Sequence, residues 1–349
     1  RSGPNASSPF FLHYGHWSAH TPNDARADLA DKYLNRTLGT LHTNHVYGAM
    51  IEQTDQTLAR LLSVLRDPNG DGETSDDITE HTLVVLVSDN GGDTRTSNLP
   101  LRGGKGMFTE GGIRVPMIAR MPGVIPAGAI SDTLVHAVDF YPTFAEIAEA
   151  SIQPGHALDG ESFKAVLENP ASTFRFRSPV FYHFPGYLDD RVVPSTVMIS
   201  DNGGGDTFKL FYSYENGAYE LYDLMVDIGE TNNLLATENL FLENPAVAEG
   251  LRGQMVTWLN DIVDNPSNDY PIIKETGELV DPPGPLINPV PPPPPVPNIV
   301  LVCVDDLGWT DLNSGRLNFG NGSDYYETPT MLQMVWEGLV FTHCYMQPN

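Results

Sequence analysis

Apolar residues in this 349-residue chain follow three patterns with different periods. The runs at 83–87 and 298–304, apolar except for Asn298, are bounded by polar turn residues, which is typical of strands buried on both faces of a parallel sheet. Residues 46–65 carry Val, Met and Leu at spacings of three and four, which predicts an amphipathic helix packed on that sheet. From about residue 179, short aromatic segments separated by Gly or Asn predict antiparallel strands. The patterns therefore predict an α/β fold, with a mostly parallel central sheet flanked by helices and a smaller C-terminal antiparallel-sheet subdomain.

The same changes of pattern divide the chain into four predicted parts. Residues 1–177 form an α/β domain, and 178–274 form the antiparallel-sheet subdomain with a closing helix. Residues 275–296 are a proline-rich linker, in which five consecutive prolines force an extended conformation that cannot join a packed core. Residues 297–349 then begin with a second buried strand.

Composition limits the classes of partner. The formal net charge of −26 argues against nucleic acid and against an anionic membrane surface as partners. A small anion held in a locally positive, metal-containing pocket is still compatible with that charge. Cys303 and Cys344 are the two cysteines, so no disulfide framework is indicated. The sequence contains neither an apolar run of transmembrane length nor a visible signal peptide, and it starts at Arg1 without a methionine.

Polar side chains follow the predicted strands at the ends where ligands bind in open α/β sheets. Asp89 and Asn90 follow the run at 83–87, and Asp305 and Asp306 follow the run at 298–304. Any one of these acids could simply cap a helix or a turn. Together, three carboxylates and an amide are hard oxygen ligands that suit Ca²⁺, with Mg²⁺ as the second choice.

Two further side chains are candidates for the same site. His20 stands in a turn after a short apolar strand, and Lys105 stands in a glycine-rich stretch at 102–106. We interpret the neighbouring His13 and His16 as packing residues. The acidic stretch at 67–77 resembles a calcium loop but lacks the glutamate expected at its twelfth position, so we interpret it as a solvated turn.

Several motifs together resemble the sulfatases of the alkaline phosphatase superfamily. The similar segments are PFFLHYGHWSAHTP (9–22), LVVLVSDNGG (83–92), LRGGKGMFTEGGIRVP (101–116), ELYDLMVDIGETNNL (220–234), PNIVLVCVDDLGWTDL (297–312) and YYETPTMLQMVWEGLVFTHCYMQPN (325–349). The resemblance implies hydrolysis of a small-molecule or glycan sulfate ester in the periplasm or outside the cell. It also implies calcium on the four oxygen ligands, Lys105 on a sulfate oxygen, and His20 as the proton donor to the departing alcohol.

The chain departs from the family pattern in two ways. Its family-N-terminal segment follows the C-terminal subdomain, so we expect a fragment of a tandem sulfatase or, as the alternative, a permuted gene. In the tandem case, 297–349 could dock on another unit or another copy. The Cys/Ser-x-Pro/Ala-x-Arg motif that is oxidised to formylglycine is absent, and neither cysteine stands in such a motif. We therefore expect this chain alone to be inactive, because the nucleophile is missing.

Two other functions remain open from the sequence. A phosphodiesterase or phosphonate hydrolase of the same superfamily would share the metal acids. A non-catalytic module that binds sulfate esters would keep the pocket without the nucleophile.

Overall fold

The structure of the chain is a computed structural model. It describes residues 9–170, 179–184, 188, 191–192, 195–201, 206–213, 219–235, 245–264, 298–312 and 322–346. The described residues form a seven-stranded sheet covered by helices and a separate four-stranded antiparallel sheet. This mixed α/β architecture confirms the predicted fold class.

The elements are numbered in chain order. The strands are β1 (Phe11–His16), β2 (Thr82–Ser88), β3 (Arg114–Arg120), β4 (Ala129–Ser131), β5 (Val135–His136), β6 (Val180–Phe184), β7 (Ser195–Asp201), β8 (Thr207–Ser213), β9 (Tyr219–Asp223), β10 (Asn298–Val304) and β11 (Leu339–Tyr345). The helices are α1 (Ala27–Leu34), α2 (His45–Arg66), α3 (Glu110–Ile113), α4 (Phe140–Ile147), α5 (Lys164–Glu168), α6 (Pro245–Asp264) and α7 (Pro329–Glu337).

The large sheet has the strand order β1-β10-β2-β3-β11-β4, with β5 also paired to β11. Strand β10 is parallel to both β1 and β2, and β4 and β5 are parallel to β11. The pairs β2–β3 and β3–β11 are antiparallel. Parallel pairing of β1, β10 and β2 brings the carboxyl ends of these three strands to one edge of the sheet.

The strand that follows the proline-rich stretch lies inside the sheet of its own chain. Val302 of β10 pairs with Tyr14 on one side and with Leu86 on the other. Alternate residues of β10 enter the two apolar cores, with Val300 in one and Ile299 in the other. Strands β10 and β11 therefore pair with the other strands of their own chain.

Helices cover both faces of this sheet. Helix α2 buries Met50, Leu58 and Leu65, as its predicted period requires, and the Asn44 side chain caps it by accepting the Tyr47 N–H at 3.0 Å. On the same face the core includes three residues of α7: Met331, Met334 and Val335. On the other face, residues of α4 and α5 pack against the strands: Phe140, Phe144, Ile147, Val166 and Leu167.

The four strands β6 to β9 form an antiparallel sheet, as predicted from the short aromatic segments separated by Gly or Asn, and they pair in sequential order. Helix α6 closes one face of this sheet through a small apolar core. That core contains Met198, Leu210, Leu221, Ala248, Leu251 and Met255. The proposed linker at 275–296 lies outside the described residues, so the predicted domain boundaries stay a prediction. None of the helices in the described ranges is long and apolar enough to cross a membrane.

Candidate active site

The four predicted oxygen ligands lie together at the carboxyl ends of β2 and β10. Strand pairing places Val304 opposite Ser88, so the acids that follow each strand begin at the same level. The Asp306 N–H donates to Asp89 Oδ1 at 3.3 Å, and Asn90 Nδ2 donates to Asp306 Oδ1 at 2.8 Å. The two strand ends therefore form one polar cluster, which brings the predicted ligands into contact.

The turn after β1 reaches the same cluster. The Ala19 N–H donates to the Asp305 carbonyl at 2.6 Å, which fixes the turn that carries His20. A ring nitrogen of His20 and one carboxylate oxygen each from Asp305 and Asp306 all lie within 4.8 Å of one another. His20 was predicted as a proton donor, and the structure also places it within reach of a metal on the strand ends.

Lys105 approaches the acids from the glycine-rich segment at 101–116, called the lysine loop below. Its Nζ lies 2.6 Å from Asp306 Oδ1 and 3.6 Å from Asp305 Oδ1, and its side chain is 17% exposed. Its backbone N–H donates to the Gly92 carbonyl at 3.0 Å. The predicted anion-binding lysine therefore lies directly against the predicted metal ligands.

Glycines let the loop after β2 and the lysine loop pack against each other. A Cβ placed on Gly91 would lie 1.9 Å from the Gly111 carbonyl oxygen. A Cβ on Gly112 would lie 2.1 Å from the Met107 carbonyl oxygen, and the Gly91 N–H donates to the Gly112 carbonyl at 2.9 Å. At these positions, glycine permits the close approach of two backbone segments to each other.

A second cation, Arg95, borders the cluster and was not predicted from the sequence. Its guanidinium lies 2.6 Å from Asp93 and 3.1 Å from Asp306 Oδ2. Asp93 and Arg95 follow the Asp-Asn-Gly-Gly segment within five positions of Asn90. That proximity in sequence is the one signal that could have identified them.

Crowded carboxylates shift the acidity of this cluster. Burial and the nearby Asp305 carboxylate raise the pKa of Asp89 to about 6. Burial also raises the pKa of Asp306, although Lys105 and Asn90 oppose that shift. Among the described side chains here, four acids face two cations: Asp89, Asp93, Asp305 and Asp306 against Arg95 and Lys105. The cluster therefore has an excess of two negative charges when all four acids are ionised.

The acceptor oxygen of Asn90 provides an independent test of the metal prediction. Asn90 is fully buried, and its Nδ2 donates to Asp306 Oδ1 and to the Gly91 carbonyl. Its Oδ1 is buried and has no hydrogen-bond donor among the described atoms. A buried acceptor without a donor is unfavourable unless another group satisfies it. An amide oxygen among carboxylates fits a hard divalent cation such as Ca²⁺.

A cavity of about 510 Å³ opens beside this cluster. His20, Lys105 and Asp306 line it together with Arg191, a residue from the segment before β7. Apolar side chains also line the cavity: Leu99, Leu101 and Met107. A predicted metal ligand (Asp306), the predicted anion-binding cation (Lys105) and the predicted proton donor (His20) therefore line one cavity, which can hold a small organic ester.

Two family profiles match this chain over overlapping ranges. Residues 3–150 match the sulfatase family, and residues 104–256 match the C-terminal region of N-sulphoglucosamine sulphohydrolase. A curated sulfatase from Formosa agariphila is 42% identical over 259 residues, which cover 73% of this chain and 47% of that protein. The chain belongs to the sulfatase family.

Mammalian sulfatases resemble this sulfatase chain over shorter stretches. The canine N-acetylgalactosamine-6-sulfatase is 31% identical over 51% of this chain and 31% of its own length. The rat steryl-sulfatase is 30% identical over 61% of this chain and 34% of its own length. The solved structure of BT4656 in complex with its substrate D-glucosamine-2-N,6-O-disulfate is 26% identical, with a TM-score of 0.50, over 65% of this chain and 42% of that chain. This chain thus spans less than half the length of these relatives.

The two cysteines and His16 of this sulfatase chain lie in buried or half-buried surroundings. Burial and the Asp89 carboxylate raise the pKa of the Cys303 thiol to about 11, and burial raises the pKa of Cys344 well above its ordinary value. Neither cysteine is therefore suited to act as a thiolate nucleophile. His16 lies 3.3 Å from Thr57 Oγ1, and burial lowers its pKa, as expected for a packing residue.

Two carboxylates of the acidic loop at 67–77 accept hydrogen bonds from the loop's own backbone. Asp67 accepts the N–H groups of Gly70 and Gly72 at 2.8 and 2.9 Å, and Asp71 accepts the N–H of Glu73 at 2.8 Å. Within the described ranges, the group of side chains spaced for a metal is the one at His20, Asp305 and Asp306. These contacts agree with the interpretation of 67–77 as an acidic turn.

Proposed function

We propose that this chain carries part of the active site of a sulfuric ester hydrolase that releases inorganic sulfate from a small-molecule or glycan sulfate ester. The observation that carries the proposal is the convergence of Lys105, His20 and the paired acids at one cavity. A protein with a net charge of −26 needs such a local cation and metal site to bind an anion. Following the family resemblance, we place the intact enzyme in the periplasm or outside the cell.

Calcium would be held by Asp89, Asn90, Asp305 and Asp306, with magnesium as the weaker candidate. The buried Asn90 Oδ1 and the excess negative charge of the cluster support this assignment. A bound Ca²⁺ would supply Lewis-acid polarisation of a sulfate oxygen. His20 lies close enough to this group to be an additional ligand or to act from its edge.

Lys105 would bind a second sulfate oxygen as a point charge with three donors. Its Nζ contacts Asp306 Oδ1 at 2.6 Å, so a sulfate bound beside the proposed metal ligands would lie within its reach. Its backbone is fixed by the bond to Gly92, so positioning the ammonium requires side-chain motion alone. We expect Lys105 to contribute mainly to binding and charge neutralisation.

His20 would hold the bridging oxygen and donate a proton to the departing alcohol. The turn that carries it is tied to Asp305 by the Ala19 N–H, so its distance from the acids is set by the backbone. A formylglycine hydrate would supply the nucleophile in the intact enzyme, and no residue of this chain stands in the motif that forms it. We therefore propose that the 349-residue chain alone has no sulfatase turnover.

The test uses the longest natural reading frame that contains this chain, alongside the 349-residue chain itself. With calcium present, we expect the long protein to hydrolyse an aryl sulfate over many turnovers and the short chain to match a metal-only control. Lys105→Ala in the long protein should lower kcat/KM at least roughly a hundredfold, while Lys164→Ala on the exposed face of α5 should not change it. Unchanged turnover after Lys105→Ala would remove this residue from the mechanism. Faster cleavage of an aryl phosphodiester than of the sulfate would favour the phosphodiesterase alternative.

A further inference from the structure

A buried carboxylate of the antiparallel-sheet subdomain contacts the lysine loop. Glu230 follows β9 in the segment ELYDLMVDIGETNNL at 220–234 and is 2% exposed. Its Oε2 accepts the backbone N–H of Glu110 at 2.8 Å and lies 3.7 Å from Nε of Arg102. One side chain of the subdomain therefore contacts the lysine loop on both sides of Lys105.

A backbone hydrogen bond closes the loop at the level of these contacts. The Gly111 N–H donates to the Arg102 carbonyl at 2.8 Å. A Cβ on Gly111 would lie 2.7 Å from the oxygen of that carbonyl, so glycine permits this closure. Arg102 also donates from Nη1 to the Glu230 carbonyl at 3.3 Å. The chain between Arg102 and Gly111 is thus a closed loop that carries Lys105, and Glu230 contacts its base.

The turn around Glu230 fixes the position of this carboxylate. The φ of Glu230 is +51°, in the left-handed region that residues other than glycine seldom adopt. Its N–H donates to the Asp227 carbonyl at 3.1 Å, and the Asp227 carboxylate accepts the N–H groups of Thr231 and Asn232 at 2.9 and 2.8 Å. A sparsely populated conformation persists only where surrounding contacts determine it, and such residues cluster at functional sites.

The two carboxylate oxygens of Glu230 have different partners. Oε1 lies 2.9 Å from Nζ of Lys209, a fully buried residue of β8. Oε2 faces the lysine loop through the Glu110 N–H. A charge partner of Lys209 needs the first contact alone. The second contact joins the subdomain to the loop that carries Lys105.

We propose that Glu230 is a positioning residue for Lys105. It acts through the base of the lysine loop and keeps the Lys105 ammonium beside the proposed metal ligands, where a sulfate would bind. The antiparallel-sheet subdomain then contributes to anion binding without touching the substrate. This inference rests on the proposed function, because it takes Lys105 as a sulfate-binding residue.

The test measures binding of inorganic sulfate to the calcium-loaded 349-residue chain by calorimetry. Lys105→Ala should weaken sulfate binding roughly tenfold, as the loss of one charge-assisted contact does. Glu230→Met removes both oxygens at similar side-chain length and should weaken it roughly fivefold. Glu230→Gln keeps an acceptor for the Glu110 N–H, so it should bind sulfate more tightly than Glu230→Met. Glu149→Met is the matched control, an exposed glutamate with a φ of +53°, and should leave the affinity unchanged.

The double variant shows whether Glu230 acts through Lys105. In the Lys105→Ala background, Glu230→Met should cause no further loss of sulfate affinity, because the side chain that it positions is already gone. The calcium affinity of Glu230→Met should not fall, since the proposed metal ligands follow β2 and β10 and not the lysine loop. A purely structural role would instead give additive losses of sulfate affinity and lower the calcium affinity.

Two results would overturn the inference: sulfate affinity of Glu230→Met equal to that of the unaltered chain, or additive losses in the double variant. If Glu230→Met does not fold, Arg102→Met tests the other contact at the base of the loop, where the side chain is 37% exposed. It should also weaken sulfate binding and show no further loss with Lys105→Ala; unchanged or additive affinity would equally overturn the inference. Unchanged sulfate affinity after Lys105→Ala alone would contradict the proposed function itself, which separates the two failures.

Discussion

Two clusters of charged side chains in this molecule are built differently, one fully buried and the other partly exposed. The interface cluster consists of Glu110, Arg114, Lys209 and Glu230 and joins the large sheet to the antiparallel sheet. Its contacts are 2.8 to 2.9 Å long, and its two cations meet its two carboxylates. The site cluster, formed by the four aspartates with Arg95 and Lys105, has twice as many acids as cations.

The acidity of the two clusters differs accordingly. Burial works to raise the pKa of Glu110, but Lys209 and Arg114 hold it below its ordinary value. At Asp89, burial and a neighbouring carboxylate act in the same direction and raise the pKa to about 6. Buried ion pairs need full compensation to be tolerated. Glu110 of the interface cluster has that compensation within the protein, although burial still raises the pKa of its neighbour Glu230. The site cluster would obtain its compensation from a divalent cation.

We expect the largest change in the free energy of unfolding from a substitution that breaks the interface cluster. Lys209→Met leaves Glu110 and Glu230 buried with less compensation, so we expect the free energy of unfolding to fall by about 3–5 kcal/mol. Urea denaturation of the 349-residue chain measures this change. Lys164→Met, which removes an exposed i,i+4 pair with Glu168, is the control and should cost less than about 0.5 kcal/mol. Equal losses for the two variants would show that Lys209 is not essential to the cluster.

Asp311 is a buried acid outside both clusters, and it sharpens the comparison because a proton can neutralise it. Asp311 accepts from Tyr47 Oη at 2.7 Å, Thr96 Oγ1 at 2.6 Å and the Gly308 N–H at 2.8 Å. Burial raises the pKa of Asp311 to about 7 from an ordinary 3.8. Burial lowers the pKa of the nearby His42 to about 4, so this imidazole is neutral at pH 7 and offers no charge.

The sign of the resulting pH dependence follows from the raised pKa. The folded state holds the proton of Asp311 more tightly than the unfolded state, so its contribution to stability is complete below about pH 4. That contribution is lost as the pH rises towards 7, by up to about 1.4 kcal/mol per pH unit. Asp311→Asn should flatten this part of the profile, measured as the free energy of unfolding between pH 4 and 8. Parallel profiles for the two proteins would contradict the raised pKa.

The smallest expected effect is at the site cluster. Asp305→Asn relieves repulsion between carboxylates, so in EDTA we expect stability to stay unchanged or to rise by at most about 1 kcal/mol. In calcium the same variant should lose most of the stabilisation that the unaltered chain gains. Asp71→Asn, in the acidic loop, is the control and should respond to calcium like the unaltered chain. A clear loss of stability in EDTA for Asp305→Asn would mean that the crowded acids are structurally required.

Local sequence patterns predicted the individual helices and strands and the polar residues that follow the strands. The apolar run that became β2 and the period of α2 predicted these elements, and the acids after β2 and β10 follow directly from the strand ends. The placement of β10 between β1 and β2 could not be predicted, because a uniformly apolar parallel strand carries no signal for its neighbours. Its partner residues in β2 are 216 positions away in sequence.

Contacts between distant elements account for the other residues that were missed. Lys209 meets Glu110 across 99 positions, and Arg191 meets the Lys105 carbonyl across 86. Lys209 is a single charged residue in a short aromatic strand, and Arg191 directly follows two aspartates between two such strands. Both patterns predict only a solvated side chain. The sequence left open whether 297–349 docks on its own unit or on another, because strand order depends on tertiary pairing, and β10 pairs with β1 and β2 of the same chain.

Calcium titration of the EDTA-stripped 349-residue chain by isothermal calorimetry, with a thermal melt at each end point, tests the central claim most directly. We predict that one Ca²⁺ binds and raises the melting temperature, because an ion that binds the folded state stabilises it. Asp306→Ala should abolish both signals. No binding heat and no stabilisation, or calcium binding by Asp306→Ala equal to that of the unaltered chain, would contradict a metal site at these strand ends.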